Sequence, residues 1–207
     1  MRYYRRFVED TLVIATHNKG KFAEIKVLFD KFDFTVLSAD KLALSEPEET
    51  ETSFQGNALL KARHSAKLSS LPALADDSGL TVTSLNGAPG IYSARWAAPN
   101  GNFDSAMQRV HDELLKISSH NFSAQFVCAL ALVWPDGDEI CVEGRVSGQI
   151  IWPPRGSSGF GYDAIFKPNG HRQSFAEMSP TKKHAMSHRA DAFTKLLNQV
   201  FMPSNVS

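Results

Sequence analysis

Residues 122–148 constrain the fold more than any other stretch of the chain. Phe122 to Trp134 and Glu139 to Gly148 are long strand-like runs separated by the turn sequence Pro135-Asp136-Gly137-Asp138. Two such runs around so short a connection predict a hairpin, whose strands are antiparallel. That argues against a purely parallel, doubly wound sheet. The N-terminal part has a different rhythm. Leu12-Val13-Ile14-Ala15 suits a buried strand, polar Thr16 to Lys21 follows, and Phe22, Ile25 and Phe29 then recur at helical spacing. Phe34 to Leu37 reads as the next strand. The expected class is α/β, with a mixed sheet and flanking helices.

Further elements follow from local signals. Thr52 and Gln55 have capping-box spacing and open a helix to about Ser70. Pro72 to Ala75 and Leu80 to Leu85 read as strands on either side of a polar turn, and Asn86-Gly87 marks another turn. Asp104 is placed to cap a helix with Met107, Val110 and Leu114 on its inner face. A Gly-rich loop from Pro153 to Gly161 leads into a strand from Tyr162 to Phe166. Ser179-Pro180 is an N-cap and N1 pair for a last helix, whose apolar stripe is Phe193, Leu196, Leu197, Val200 and Phe201.

The chain has 207 residues, enough for one domain or two small lobes around a shared cleft. Its 22 basic and 22 acidic residues cancel, which disfavours a large nucleic-acid footprint. A compact phosphate pocket needs only a few Lys or Arg and fits a neutral total. Cys128 and Cys141 match no metal-ligand spacing and read as buried thiols of a reducing compartment. Residues 1–10 form an N-terminal extension with no apolar signal-peptide core, and no apolar run reaches membrane-spanning length. A soluble, cytoplasmic protein with no membrane or nucleic-acid partner is expected.

Five segments hold candidate chemistry. Thr16-His17-Asn18-Lys19-Gly20-Lys21 lies between a strand and a helix; it is either a plain connection or a phosphate site using helix amides and two lysines. It lacks P-loop spacing. Glu46-Pro47-Glu48-Glu49-Thr50-Glu51 is either a solvated loop or a source of a Mg²⁺ carboxylate. Asp76 and Asp77, before Ser78-Gly79, form either an Asp-rich turn or a pair pointing to opposite strand faces, one toward metal or water. Gly156 to Asp163 is either a flexible surface loop or a nucleotide loop, in which glycines permit close approach to a flat ligand, Phe160 and Tyr162 offer stacking surfaces, and Asp163 accepts from a base or orders the loop. Lys182, Lys183, Ser187, His188 and Arg189 form either a solvated basic face or a phosphate- and purine-reading cluster, with Lys183 and Ser187 on one helix face. Together these parts suffice for a Mg²⁺-assisted nucleotide hydrolase, and no nucleophile elbow points to a covalent route.

The same segments, in order from about Leu12 to Val200, resemble the inosine triphosphate pyrophosphatase family, the noncanonical purine NTP pyrophosphatases or XTP/dITP diphosphatases. The resemblance rests on the T-x-N-x-x-K loop ending at Lys21, Glu48-Glu49-Thr50, Asn57 to Ala62, and Ala75 to Leu80. Gly87-Ala88-Pro89-Gly90-Ile91-Tyr92-Ser93-Ala94-Arg95, Gly159 to Asp163 and Ser187-His188-Arg189 complete the series. It implies an elongated, two-lobed domain over 11–207 with a central cleft, assembled as a homodimer. It also implies Mg²⁺-dependent cleavage of dITP, ITP and XTP to monophosphate and pyrophosphate. Thr16, Asn18 and Lys21, with the loop amides at His17, Lys19 and Gly20, would hold the triphosphate, and Lys61 would lie near it. Glu48 and Asp77 would bind the metal, Glu49 being able to share the task; Asp77 would also take the proton of the attacking water, and Ser78 would touch substrate. Phe160, Gly161, Tyr162, Asp163, Lys183, His188 and Arg189 would recognise the nucleotide. Two positions depart from the family pattern: Ala164 where Pro often follows G-F-G-Y-D, and Gly56 where many relatives carry Glu. A septum-formation-inhibitor-like pyrophosphatase for modified or pyrimidine nucleotides, or a non-catalytic nucleotide-binding module, are the alternatives.

Overall fold

The computed structural model describes residues 5–98 and 101–201. Residues 1–4 of the N-terminal extension and 202–207 at the end of the expected domain lie outside the described residues. Six strands form one mixed sheet: β1 (Thr11–Ile14), β2 (Thr35–Ser38), β3 (Ala73–Val82), β4 (Ser123–Val133), β5 (Glu139–Ile150) and β6 (Phe166–Pro168). Their order is β2-β1-β3-β4-β5-β6. β1 pairs in parallel with β2 and with β3, whereas β5 pairs antiparallel with β6. The central hairpin and the mixed sheet are as expected. The described helices are α1 (Lys19–Phe29), α2 (Phe54–Ser69), α3 (Ser93–Trp96), α4 (Phe103–Lys116), α5 (Pro180–Met186) and α6 (His188–Leu196). None is long and apolar enough to cross a membrane.

The chain divides into two compact units. The first comprises 1–77, 128–144 and 189–207, and the second 78–127 and 145–188. In the first, Leu12, Ile14, Leu74, Leu130 and Leu132 pack with Ile25 and Phe29 of α1 and with Phe193 and Leu196 of α6. A second cluster in this unit is alanine-rich, with Ala58, Ala62 and Ala66 of α2 meeting Ala73, Ala75, Ala129 and Ala131. Alanines on both sides let helix and sheet backbones come close. The second unit has its own core, in which Met107, Val110 and Leu114 of α4 pack with Leu80, Phe126, Tyr162, Phe166 and Phe175.

Several local expectations are corrected. Pro72–Ala75 and Leu80–Leu85 are not two strands around a turn: β3 runs unbroken through Asp76, Asp77, Ser78 and Gly79, and Thr83–Leu85 is a 3₁₀ turn. The two carboxylates do not end the strand because buried partners satisfy them there. Ser53 rather than Thr52 caps α2, its hydroxyl accepting from Gly56 N, and Asn102 rather than Asp104 caps α4. The expected strand from Tyr162 begins instead as a 3₁₀ turn at Asp163–Ile165, with β6 only from Phe166. The last helix is broken at Ser187, which is extended at φ −72°, ψ 156°. Lys183 and Ser187 therefore do not share a continuous helical face. Ser179 does cap α5 with Pro180 next to it, and the terminal stripe continues through a π-helical segment, Leu197–Phe201.

The described part of the N-terminal extension is built into the first unit. Phe7 packs against Phe34, Trp134 and Phe201 at ring-centroid distances of 4.9, 6.4 and 5.1 Å. Its amide donates to Val200 O at 3.2 Å. Arg5 lies over the Trp134 ring at 4.8 Å and pairs with Asp136 in the hairpin turn and with Glu9. Phe7→Ala is expected to cost about 2 kcal/mol, below the range for a fully buried Phe because the ring is only partly covered. Urea unfolding checks this, and an unchanged midpoint would show that the extension only decorates the fold.

Candidate active site

In the first unit, the candidate residues gather around the middle of β3. Asp76 and Asp77 are 1% and 5% exposed, and successive strand residues face opposite ways. Their surroundings differ accordingly. Asp76 Oδ2 is 3.1 Å from Lys21 Nζ and 3.2 Å from Arg189 Nη2. Burial alone would raise its pKa, but Lys21, Arg189 and Lys61 outweigh burial and hold it well below the usual carboxylate range. Asp76 is therefore held ionised at neutral pH.

Asp77 accepts from Asn57 Nδ2 at 3.2 Å and lies 3.8 Å from Lys61 Nζ. Burial is the largest influence on it. With the nearby Glu49 charge, burial pushes the carboxyl up to about 6 against the pull of Lys61. Such a group is ionised at neutral pH yet accepts a proton more readily than an ordinary carboxylate, as a general base requires. Lys61, on α2, also reaches Glu49 Oε1 at 2.5 Å. Its burial favours the neutral amine, but Asp77, Asp76 and Glu49 reverse this and keep it charged.

The loop before α1 is organised by its own side chains. Asn18 caps the helix, its Oδ1 accepting from Lys21 N at 3.0 Å, and Thr16 Oγ1 accepts from Asn18 N at 3.2 Å. Lys19 is exposed, Gly20 is half-buried, and His17 meets Asp40 at 2.5 Å. Of the two metal candidates in the acidic loop, Glu49 joins the Lys61–Asp77 cluster, whereas Glu48 is exposed. Asp77 and Glu49 bring hard carboxylate oxygens to one cationic centre. This donor set fits Mg²⁺, which uses one or two carboxylates and takes water and phosphate for the rest of its shell. Among the described residues no three His, Cys, Asp or Glu side chains converge on a metal position.

In the second unit, the Gly-rich loop is closed by Asp163, whose Oδ2 accepts from Phe160 N at 2.9 Å and from Lys183 Nζ at 2.7 Å. Lys183 Nζ also lies 4.7 Å from the centre of the Phe160 ring, a cation–π distance. Phe160 is 39% exposed and Tyr162 2%. Of the two expected stacking surfaces, only Phe160 is open; Tyr162 is packed inside. Gly161 has φ +68°, a left-handed conformation that glycine adopts at little cost. His188 stacks on Phe126 at 5.0 Å and 14°. Ser78, half-buried, begins this unit's part of β3.

One buried residue of this cluster leaves no mark in the local sequence. Glu24 is a buried carboxylate on α1 that pairs with Arg189, 165 positions away, so Arg189 is held between Glu24 and Asp76. A lone Glu beside Ile25 reads as surface, and only the fold reveals its partner.

Residues 12–199 match the model of the Ham1 family. The chain belongs to the Ham1 family. Among similar proteins, the dITP/XTP pyrophosphatase of Caulobacter vibrioides is 56% identical over 190 residues, which is 92% of this chain and 97% of that protein. The dITP/XTP pyrophosphatase of Rhodospirillum centenum is 57% identical over 198 residues, 95% of this chain and 98% of that protein. Of solved structures, a HAM1 protein from Coxiella burnetii superimposes with a TM-score of 0.86 at 38% identity, covering 92% of this chain and 98% of its own. The Staphylococcus aureus Ham1 protein gives 0.82 at 36% identity, covering 91% and 96%. The family match begins at Leu12, so the clamp formed by Arg5 and Phe7 lies outside it.

Two substitutions probe the first unit's charge cluster. The folded pKa of Asp77 lies above its ordinary value of 3.8, so this group favours folding at low pH and loses that contribution as pH rises from about 4 to about 6. Without added divalent ions, Asp77→Asn is expected to become progressively more stable than the parent across that window. The advantage should level off above it at no more than about 3 kcal/mol. A gap that stays flat with pH in thermal melts counts against the raised pKa. Glu24→Gln is expected to cost stability near the low end of the 3–5 kcal/mol, roughly, of a broken buried ion pair, because Asp76 still faces Arg189. Chemical denaturation measures it, and a loss under 1 kcal/mol, roughly, would show that Glu24 contributes little.

Proposed function

We propose that this chain hydrolyses noncanonical purine nucleoside triphosphates, dITP, XTP and ITP, to the monophosphate and pyrophosphate. The observation that carries the reading is the pair of unlike carboxylates on β3: Asp76 fixed as an anion by Lys21 and Arg189, and Asp77 poised near neutrality beside Lys61 and Glu49. The family and its dITP/XTP pyrophosphatase members support the substrate class.

In this reading, Lys21, Lys61 and the loop amides of His17, Lys19 and Gly20 bind the triphosphate oxygens. Asp77 and Glu49, with Glu48 within the same loop, are the residues that would hold Mg²⁺. When bound, the ion supplies charge neutralisation at the phosphates and acidifies water. Asp77 accepts one proton as the water oxygen bonds to the α-phosphorus, and the α–β bridging P–O bond breaks with pyrophosphate leaving. Phe160 stacks on the base, while Lys183 and His188 recognise the nucleotide; Arg189, held between Glu24 and Asp76, acts through the Asp76 carboxylate instead. Buried polar groups that pair with a 6-oxo purine would be left unsatisfied by adenine, which is how such a site discriminates. The same reading makes the protein a cytoplasmic homodimer; its two free cysteines suit a reducing compartment.

A nucleotide panel with Mg²⁺, scored for pyrophosphate rather than orthophosphate, tests the proposal. dITP and XTP are expected to be cleaved far faster than dATP, dTTP and UTP, and addition of a chelator should stop the reaction. Preference for dTTP or UTP would favour the pyrimidine-directed alternative, and tight dITP binding without pyrophosphate release would favour a binding module. Asp77→Asn is expected to lower kcat by about 10²-fold or more at saturating Mg²⁺; near-parental dITP hydrolysis would remove Asp77 from the mechanism.

A further inference from the structure

The segment Gly87 to Arg95 has no part in the proposed reaction, yet it reaches the loop around Phe160 through Ser93. Ser93 is 6% exposed. Its hydroxyl accepts from Leu80 N at 3.0 Å and donates to Gly90 O at 2.7 Å, so both its roles are used. Its carbonyl accepts from the Tyr162 hydroxyl at 2.9 Å. The segment is folded back on β3, with Val82 N donating to Ala88 O at 3.1 Å and Thr81 bridging Pro89. Ser93 therefore ties three pieces of the second unit together: β3 just beyond Ser78, the Gly90 turn, and the loop around Tyr162.

Tyr162 passes this constraint to its neighbours. Its ring is packed edge-on against Phe103 at 5.4 Å and 86°, and its hydroxyl is anchored at Ser93. Two residues before it stands Phe160, the open aromatic face; directly after it stands Asp163, which holds both Phe160 N and Lys183. A tyrosine fixed at both ring and hydroxyl leaves the loop little freedom to tilt the Phe160 ring or shift Lys183.

We infer that Ser93 is a positioning residue for nucleobase recognition, its hydroxyl fixing the backbone whose carbonyl anchors Tyr162. This rests on the assignment of Phe160 and Lys183 to the base. Ser93 belongs to the second unit, whereas the groups assigned to the phosphates and the attacking water belong to the first. Its loss should therefore weaken binding and base selectivity while leaving turnover in place.

The test compares Ser93→Ala, Ser93→Thr, Tyr162→Phe and the double variant Ser93→Ala/Tyr162→Phe in the full chain. Amide hydrogen exchange over residues 155–166 is read alongside steady-state kinetics on dITP and dATP. Ser93→Ala and Tyr162→Phe are each expected to speed exchange in that loop and raise KM for dITP by about tenfold, with kcat within about twofold of the parent. The dITP-to-dATP preference should narrow, the double variant should be no worse than the worse single, and Ser93→Thr, which keeps the hydroxyl, should behave like the parent. Tyr162→Phe retains every bond of the Ser93 hydroxyl, so it reports on the link even if Ser93→Ala folds poorly. Unchanged exchange in the loop, additive effects in the double variant, or equal falls in kcat and kcat/KM on both nucleotides would overturn the inference. A parent that releases no pyrophosphate from dITP would instead sink the functional reading, while loop exchange would still decide whether Ser93 holds Tyr162.

Discussion

Asp76 is the charge around which the first unit is arranged. A carboxylate at 1% exposure is tolerable only if cations meet it, and its partners come from separate parts of the chain, Lys21 from α1 and Arg189 from α6. Arg189 is itself buried and draws Glu24 to its other side. Each of these residues would be a liability without the others. The consequence reaches one position along β3. Because Lys21 and Arg189 are directed at Asp76, Asp77 is left with Asn57 and a more distant Lys61, and burial dominates its proton affinity. Two adjacent residues of one type acquire opposite acid–base behaviour from the alternation of a strand.

What the sequence disclosed and what it concealed divide along the same physical line. Periodic apolar runs and tight turns announced β1, α1, the β4–β5 hairpin and the buried face of α4, since burial of a stripe or a face leaves a repeating mark. Polar residues inside regular elements left no such mark. Asp76 to Gly79 read as a turn because two carboxylates in mid-strand are costly unless paired, and the pairing cations lie far away in sequence. The break at Ser187 was hidden for a related reason: residues on both sides favour helix, and the chain leaves helical geometry there without a Gly or Pro to signal it. Glu24 was missed outright, since nothing local distinguishes it from a surface glutamate.

The candidate site was more legible as a set of residues than as an arrangement. The ordered motifs single out Thr16 to Lys21, Lys61, Asp77, Phe160 to Asp163, Lys183, His188 and Arg189 as candidates, but not their division of labour. Asn18 caps a helix, Asp163 closes a loop, and Tyr162 is packed beneath the loop it was expected to present. Glu49 rather than Glu48 shares Lys61 with Asp77. Motif positions therefore include residues that hold other residues in place, and only the contacts separate these from the ones offered to a ligand.

The closure of the Gly-rich loop bears on how base preference in such a protein can drift over evolutionary time. A side chain at Gly156 would strike the backbone at Ala176, and one at Gly159 would strike Asp163. Gly161 has a left-handed backbone, Tyr162 is internal, and Asp163 is engaged on two sides. Phe160 is thus the one ring in Gly159 to Asp163 that can be exchanged without first dismantling the turn. Substitutions spread evenly over the loop would mostly strike the turn, whereas variation at Phe160 changes an exposed ring and leaves the turn in place.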